Sequence, residues 1–158
     1  MSLESRLKRR LKIARNLLRS PRVDAEAVRE LTRGRGKAGC YVIWRRNDRV
    51  KPLYVGLGTS RSGVFHRMRE HLGNRITSFR AYVADTRRLR GDLEAPMYSL
   101  RKLSKSERRR ANQRVTRWIE RNCRFQYIEL DDHDGEAELL EKFLIAVVVP
   151  RLQYPTND

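Results

Sequence analysis

Five residues spread along the chain have side chains suited to phosphate chemistry. Tyr41 and Tyr54 stand in short β-branched and aromatic segments, and neighbouring antiparallel strands could present both phenols on one face. Arg67 and His71 are four residues apart, which places them on the same side of a helix. Glu141 lies among apolar residues, so its carboxylate must be solvated, paired or bound to a cation. A guanidinium suits phosphate oxygens, a carboxylate suits Mg²⁺, and a phenol or imidazole can transfer protons.

Periodicity, capping residues and composition predict an element for each of these side chains. Three strands are predicted, at residues 40–44, 51–56 and 123–130, and the first two should form a hairpin through the turn at residues 47–48. Five helices are predicted: residues 3–19, a short helix capped by Asp24, one from a cap at Ser60 or Ser62 to about 72, one from a capping box at Ser104 to about 122, and 135–148 capped by Asp134. Residues 74–103 give no clear pattern.

The charge of the chain indicates the kind of partner. The 158 residues carry 36 Lys and Arg against 19 Asp and Glu, a net charge of +17, with 39% apolar residues. This predicts one folded domain, with extensions, that binds a polyanion. Residues 1–22 and 75–122 hold most of the excess, whereas residues 125–158 are net acidic. Carboxylates close to a polyanion are costly unless a cation sits between them, so the acidic end favours an enzyme over a protein that only coats nucleic acid.

Other classes of protein fit the sequence poorly. The apolar run from Leu144 to Val149 is too short to span a bilayer, and the N-terminal segment lacks the features of a secretory signal. Cys40 and Cys123 cannot build a disulfide framework or a four-thiolate zinc site. We therefore expect a cytoplasmic protein with no membrane partner.

Five short motifs follow one another along the chain: Gly39-Cys-Tyr41, Tyr54-Val-Gly56, Arg67-x-x-x-His71, Glu141-x-x-Leu-Ile145 and Pro150-Arg-Leu-Gln153. In this order, and in strand, strand, helix and helix contexts, they resemble the motifs of the GIY-YIG nuclease family. The resemblance covers residues 39–153, is interrupted by the basic stretch at about 75–122, and leaves residues 1–38 outside. Cys40 replaces the usual apolar residue, and Gln153 stands where the family often has Asn.

The resemblance implies an α/β fold with a small three-stranded antiparallel sheet flanked by helices. Residues 1–38 would form a basic helical N-terminal extension, and residues 39–158 the nuclease domain, with a basic helical insertion at about 75–122. The implied activity is that of a metal-dependent DNA endonuclease that hydrolyses phosphodiester bonds, of a restriction, phage or mobile-element kind. A restriction-type enzyme cuts twice, which a homodimer or higher assembly would supply most simply.

The resemblance also implies roles for individual residues. Tyr41 and Tyr54 would line the scissile phosphate, Arg67 would stabilise its developing charge, and His71 would lie one turn further along the helix. Glu141 would be catalytic and anchor Mg²⁺ or Mn²⁺, and Gln153 would act in the second shell of the site. The general base stays open between Tyr41, His71 and Lys51.

Residues outside these motifs receive simpler interpretations. Arginines expected to bind nucleic acid lie on the first helix and on the long inserted helix: Arg6, Arg9, Arg10, Arg108, Arg110, Arg114 and Arg117. His66 is expected at the surface on a different helix face from Arg67, and Asn112 and Gln113 are expected to be exposed amides. Glu141 could instead pair with Lys142 or Arg151. The alternative function is that of a non-catalytic basic nucleic-acid-binding protein of the same fold.

Overall fold

The computed structural model describes residues 2–31, 36–73, 77–85, 104–131 and 135–150. Within these ranges the chain forms six helices and one three-stranded antiparallel sheet, so the predicted α/β class and small sheet are confirmed. In chain order the elements are α1 (Leu3–Arg19), α2 (Ala25–Glu30), β1 (Gly39–Arg45), β2 (Tyr54–Gly58), α3 (Val64–Leu72), α4 (Ser78–Asp85), α5 (Lys105–Asn122), β3 (Cys123–Glu129) and α6 (Glu136–Val148). Asp134 and Gln153, to which the sequence assigns a cap and a second-shell role, lie outside the described residues.

The strand order is β2-β1-β3, with β1 antiparallel to both neighbours, and the predicted hairpin is therefore confirmed. The second strand begins at Tyr54 rather than at residue 51. Its start is delayed because the Asp48 carboxylate accepts hydrogen bonds from the backbone N–H groups of Val50 and Lys51, at 2.9 and 3.2 Å, and holds them in the turn.

Helices cover both faces of the sheet, and the alternation of β1 separates two cores. Tyr41 and Ile43 point to the core that α2, α3, α4 and α5 build, whereas Val42 and Trp44 point to the core of α1 and α6. A strand buried on both faces needs apolar residues throughout, which explains the continuous run in β1.

The predicted N-terminal extension contributes to both cores. Ala14 and Leu17 of α1 are buried on one side of the sheet, and Val28 of α2 on the other. Between these helices, Val23 and Phe125 exchange two backbone hydrogen bonds of 2.8 Å. Residues 14–28 are thus packed against the sheet on both of its faces.

Two segments within residues 75–122 also belong to the core. The capping box between Ser104 and Glu107 opens α5 as predicted. In contrast, α4 was not predicted, and its Phe79 is fully buried in the core beside Tyr54 and His71. None of the helices in the described ranges has the length and apolar character needed to cross a membrane.

The start of α3 differs from the prediction. The N-cap is Gly63, with φ +75°, rather than Ser60 or Ser62, and no side chain caps the helix. A Cβ at Gly63 would lie 2.4 Å from the Cα of Gly36, so close backbone approach and positive φ both require glycine here.

Candidate active site

A cleft of about 400 Å³ lies where β1, β2, α3 and α6 meet. Four of the five predicted catalytic side chains line it: Tyr41, Tyr54, Arg67 and Glu141. The fifth, His71, is fully buried and contacts Tyr41 from within the core. The fold therefore gathers side chains that are as many as 100 residues apart in the sequence.

The two phenols share one face of the β1–β2 hairpin. Tyr41 pairs in register with Gly56, and the rings of Tyr41 and Tyr54 have centroids 6.3 Å apart. A Cβ at Gly56 would lie 2.3 Å from the Tyr41 hydroxyl oxygen and 2.8 Å from the Tyr54 ring. The glycine is required because any side chain at this position would displace both phenols.

A buried hydrogen-bonded chain supports Tyr41. The Tyr41 hydroxyl lies 2.6 Å from His71 Nε2, and His71 Nδ1 lies 2.7 Å from the Thr77 hydroxyl. Burial, together with the charges of Arg67 and Arg80, lowers the pKa of His71 to about 3. The imidazole is therefore neutral at pH 7 and holds one proton, which is either on Nδ1, with Tyr41 donating to Nε2, or on Nε2.

The side chain of Arg80 supports this hydrogen-bonded chain through the backbone of His71. Its guanidinium is completely buried and donates to the carbonyl oxygens of His71 and Asn112, at 2.9 and 3.0 Å, and to the Thr116 hydroxyl at 2.9 Å. Among the described residues its Nε finds no acceptor. Burial lowers the pKa of Arg80 to about 10, which still leaves it charged at neutral pH.

The supporting roles of Thr77 and Arg80 were not predicted from the sequence. Thr77 and Arg80 belong to the stretch for which no pattern was found. Asn112 was expected to be an exposed amide, and that is wrong: it is 8% exposed because its carbonyl and side chain face Arg80. Gln113, its neighbour, is exposed as expected.

Glu70 is a second carboxylate in the cleft wall that the sequence analysis did not select. Its Oε2 accepts a hydrogen bond from Arg67 at 2.5 Å, and its side chain is only 10% exposed. Although burial opposes the shift, the bond to Glu70 raises the pKa of Arg67. The spacing of three residues between Arg67 and Glu70 on one helix is the signal that could have identified it.

His66 is exposed, as predicted. It also lines the cleft, which was not predicted, and its Nε2 lies 3.7 Å from Glu70. Lys51, in contrast, is not among the residues that line the cleft.

Glu141 extends from α6 into the cleft and is half-buried. Burial and the neighbouring carboxylate of Glu138 raise its pKa to about 7, although Arg67 and Lys142 act in the opposite direction. Lys142 does not pair with Glu141, because its ammonium lies 3.3 Å from Glu138. Arg151, the other expected partner, lies outside the described residues.

The donor chemistry of Glu141 fits a hard divalent cation. A carboxylate that burial makes costly to ionise gains most when a cation binds beside it. Within the described ranges no three His, Cys, Asp or Glu side chains converge to hold a metal ion. From the described residues a metal here would therefore have at most two such ligands, with Glu141 as the expected one, and would keep water in its other positions.

The two tyrosines are weak acids in this structure. Burial raises the pKa of Tyr41 well above 10, with further contributions from Tyr54 and Glu141, and Arg67 opposes the shift. Burial and Glu141 raise the pKa of Tyr54 to about 12. Both are neutral hydrogen-bond donors at pH 7 unless more positive charge enters the cleft.

The arginines predicted to bind nucleic acid face solvent. Arg10 is half-buried and the others are exposed on α1 and α5: Arg6, Arg9, Arg108, Arg110, Arg114 and Arg117. Arg9 pairs with Glu136 at 3.1 Å. None of the seven lines the cleft.

No protein-family model, curated protein or solved structure matches this chain. The function of the chain is therefore inferred from the geometry of the cleft.

Proposed function

We propose that the chain is a metal-dependent DNA endonuclease of the GIY-YIG type. The observation that carries this proposal is the common cleft of Tyr41, Tyr54, Arg67 and Glu141, with His71 hydrogen-bonded to Tyr41. Phosphodiester hydrolysis needs an attacking water, relief of charge on the phosphorus centre and stabilisation of the departing oxygen. This set of side chains offers a group for each requirement.

Arg67 is the group proposed to bind the scissile phosphate. Its guanidinium is permanently charged, and its planar fork matches two phosphate oxygens. Glu70 accepts a hydrogen bond from one side of that fork at 2.5 Å, which fixes the orientation of Arg67. The hydroxyl of Tyr54 can donate to the same phosphate because burial keeps it neutral.

Tyr41, as the phenolate, is the proposed proton acceptor for the attacking water. The neutral phenol must first release its own proton to solvent in the cleft, which a cation bound at Glu141 would favour because it stabilises nearby negative charge. His71 is a poor base, with a pKa of about 3, and Lys51 is not in the cleft wall. We assign to His71 the positioning of the Tyr41 hydroxyl, with the imidazole itself held by Thr77. When bound at Glu141, Mg²⁺ or Mn²⁺ would act as a Lewis acid on the phosphate and favour ionisation of nearby groups.

The test is cleavage of plasmid and genomic DNA by the full chain, with Mg²⁺ and with EDTA. We expect metal-dependent cleavage by the wild type and at least a 100-fold loss in Glu141→Ala, with DNA binding retained. Glu138→Gln is the matched control, because it removes a carboxylate from the same helix that does not line the cleft; it should keep cleaving.

The outcomes separate the two functions considered. Equal activity of the wild type and Glu141→Ala would contradict the metal site. DNA binding without cleavage of either substrate would leave the non-catalytic alternative. Mapping the cut ends on genomic DNA would show the sequence preference and whether one or both strands are cut, which bears on the expected dimer.

A further inference from the structure

A second cavity of about 780 Å³ adjoins the cleft. The two cavities share Ser62, His66 and Glu70 in their walls. Because the wall is common, a ligand longer than one phosphate can extend from the first cavity into the second. The two together form one groove along α3, from Ser62 to Gly73.

Three arginines give the second cavity its charge: Arg29, Arg61 and Arg69. Arg69 is half-buried and donates to the carbonyl oxygen of Leu31 at 3.0 Å, so a neutral backbone group fixes its guanidinium. Arg61 is exposed in the turn before α3. Arg29 is compensated by Glu120 on α5, so we assign the excess positive charge to Arg61 and Arg69.

The one carboxylate in the shared wall does not cancel this charge. Glu70 is hydrogen-bonded to Arg67, whose charge compensates it. The groove therefore runs from a phosphate-binding guanidinium at one end to two further guanidinium groups at the other.

We propose that this basic groove, defined by Arg29, Arg61 and Arg69, binds backbone phosphates of the DNA strand that continues out of the cleft. The inference rests on the proposed function, because it takes a strand held at Arg67 as its starting point. Each DNA strand carries one negative charge about every 3.4 Å along the helix axis, so a strand in the cleft brings further phosphates to the adjoining cavity. The arginines of α1 and α5 that were predicted from the sequence to bind nucleic acid line neither cavity.

The experiment measures DNA binding, without any requirement for cleavage. Fluorescence anisotropy of a labelled duplex oligonucleotide, in EDTA and over a series of salt concentrations, gives the salt dependence of the affinity. For the double variant Arg61→Ala/Arg69→Ala, the slope of log K against log salt should fall by about 1.8, since each lost phosphate contact removes about 0.9. The single variant Arg61→Ala, which changes only an exposed side chain, should lose about half of that.

The matched control is Arg46→Ala/Arg49→Ala. It removes the same charge from exposed residues in the β1–β2 turn, neither of which lines the cleft or the second cavity. Its slope should equal that of the wild type. An unchanged slope in both groove variants, or an equal fall in the control, would overturn the inference.

Failure of the inference and failure of the proposed function give different results. If the groove variants lose slope while the wild type never cleaves DNA with Mg²⁺, the groove is supported and hydrolysis is contradicted. If the wild type cleaves DNA but the groove variants keep their slope, the groove is contradicted alone. A wild type that does not bind the duplex at all would overturn both proposals.

Discussion

Two buried groups of the site should make the stability of the protein depend on pH in opposite directions. Burial beside Arg67 and Arg80 lowers the pKa of His71 from 6.5 to about 3. Burial and Glu138 raise the pKa of Glu141 from 4.5 to about 7. Unfolding returns each group to its ordinary pKa, so acid favours unfolding through His71 and opposes it through Glu141.

The sizes of these effects follow from the pKa differences. Above pH 6.5 the imidazole of His71 is neutral in both states and does not lower the free energy of unfolding. Between pH 6.5 and 4.5 the unfolded chain binds a proton at His71 and the folded protein does not, which lowers the free energy of unfolding by about 2.7 kcal/mol. Glu141 costs nothing well below pH 4.5, and its ionisation costs up to about 3 kcal/mol above pH 7. In the wild type the two effects nearly cancel between pH 7.5 and 4.5.

Two substitutions separate the effects. His71→Gln leaves the contribution of Glu141, and Glu141→Gln leaves that of His71. The free energy of unfolding is measured by urea denaturation followed by circular dichroism, in EDTA, at pH 7.5 and 4.5. On acidification, the titration of His71 should lower the free energy of unfolding of Glu141→Gln by about 2.7 kcal/mol. The titration of Glu141 should raise the free energy of unfolding of His71→Gln by about 2–3 kcal/mol.

The quantity to compare is the difference between the two variants. Every other titrating group is common to both, so its contribution subtracts, and the two responses should differ by about 5 kcal/mol. Responses that agree within about 1 kcal/mol would contradict the assignment of a neutral buried imidazole at His71 and of a carboxyl group at Glu141 that burial makes costly to ionise.

Two further substitutions test the supports of the site. Gly56→Ala places a Cβ 2.3 Å from the Tyr41 hydroxyl oxygen, so it should lower the free energy of thermal unfolding by about 1–3 kcal/mol and abolish cleavage. Gly73→Ala should be tolerated, because its Cβ meets nothing closer than 3.6 Å. Equal behaviour of the two variants would contradict the packing described for Gly56. Arg80→Met leaves the carbonyl oxygens of His71 and Asn112 without their donor and should lower the free energy of unfolding by about 1–3 kcal/mol. Loss of the Arg80 charge should also raise the pKa of His71, measured by NMR titration. An unchanged titration would contradict the electrostatic role of Arg80.

The elements that local signals specify were predicted well. The capping box of Ser104 and Glu107 fixes the start of α5, and the β-branched and aromatic run fixes β1. In both cases the information lies within a few residues of the element. The start of α3 was missed because it depends on the contact of Gly63 with Gly36, which lies 27 residues earlier.

The candidate site was predicted as far as its cleft-lining residues stand in the motifs that resemble those of the GIY-YIG nuclease family. Tyr41, Tyr54, Arg67 and Glu141 do so, and they meet in the cleft. Arg80 does not, because a buried arginine satisfied by carbonyl oxygens has no distinct pattern among the many exposed arginines of this chain.

The position of Arg80 also bears on where the chain could be shortened. A fragment designed from the motifs alone would keep residues 39–73 and 123–150 and discard the basic stretch between them. It would lose the guanidinium that closes the end of α3 at the His71 carbonyl, together with Phe79, whose ring lies 5.3 Å from the imidazole and 5.4 Å from Tyr54. Water would then reach the inner side of Tyr54 and the imidazole of His71, so truncation between residues 74 and 122 removes part of the scaffold of the site.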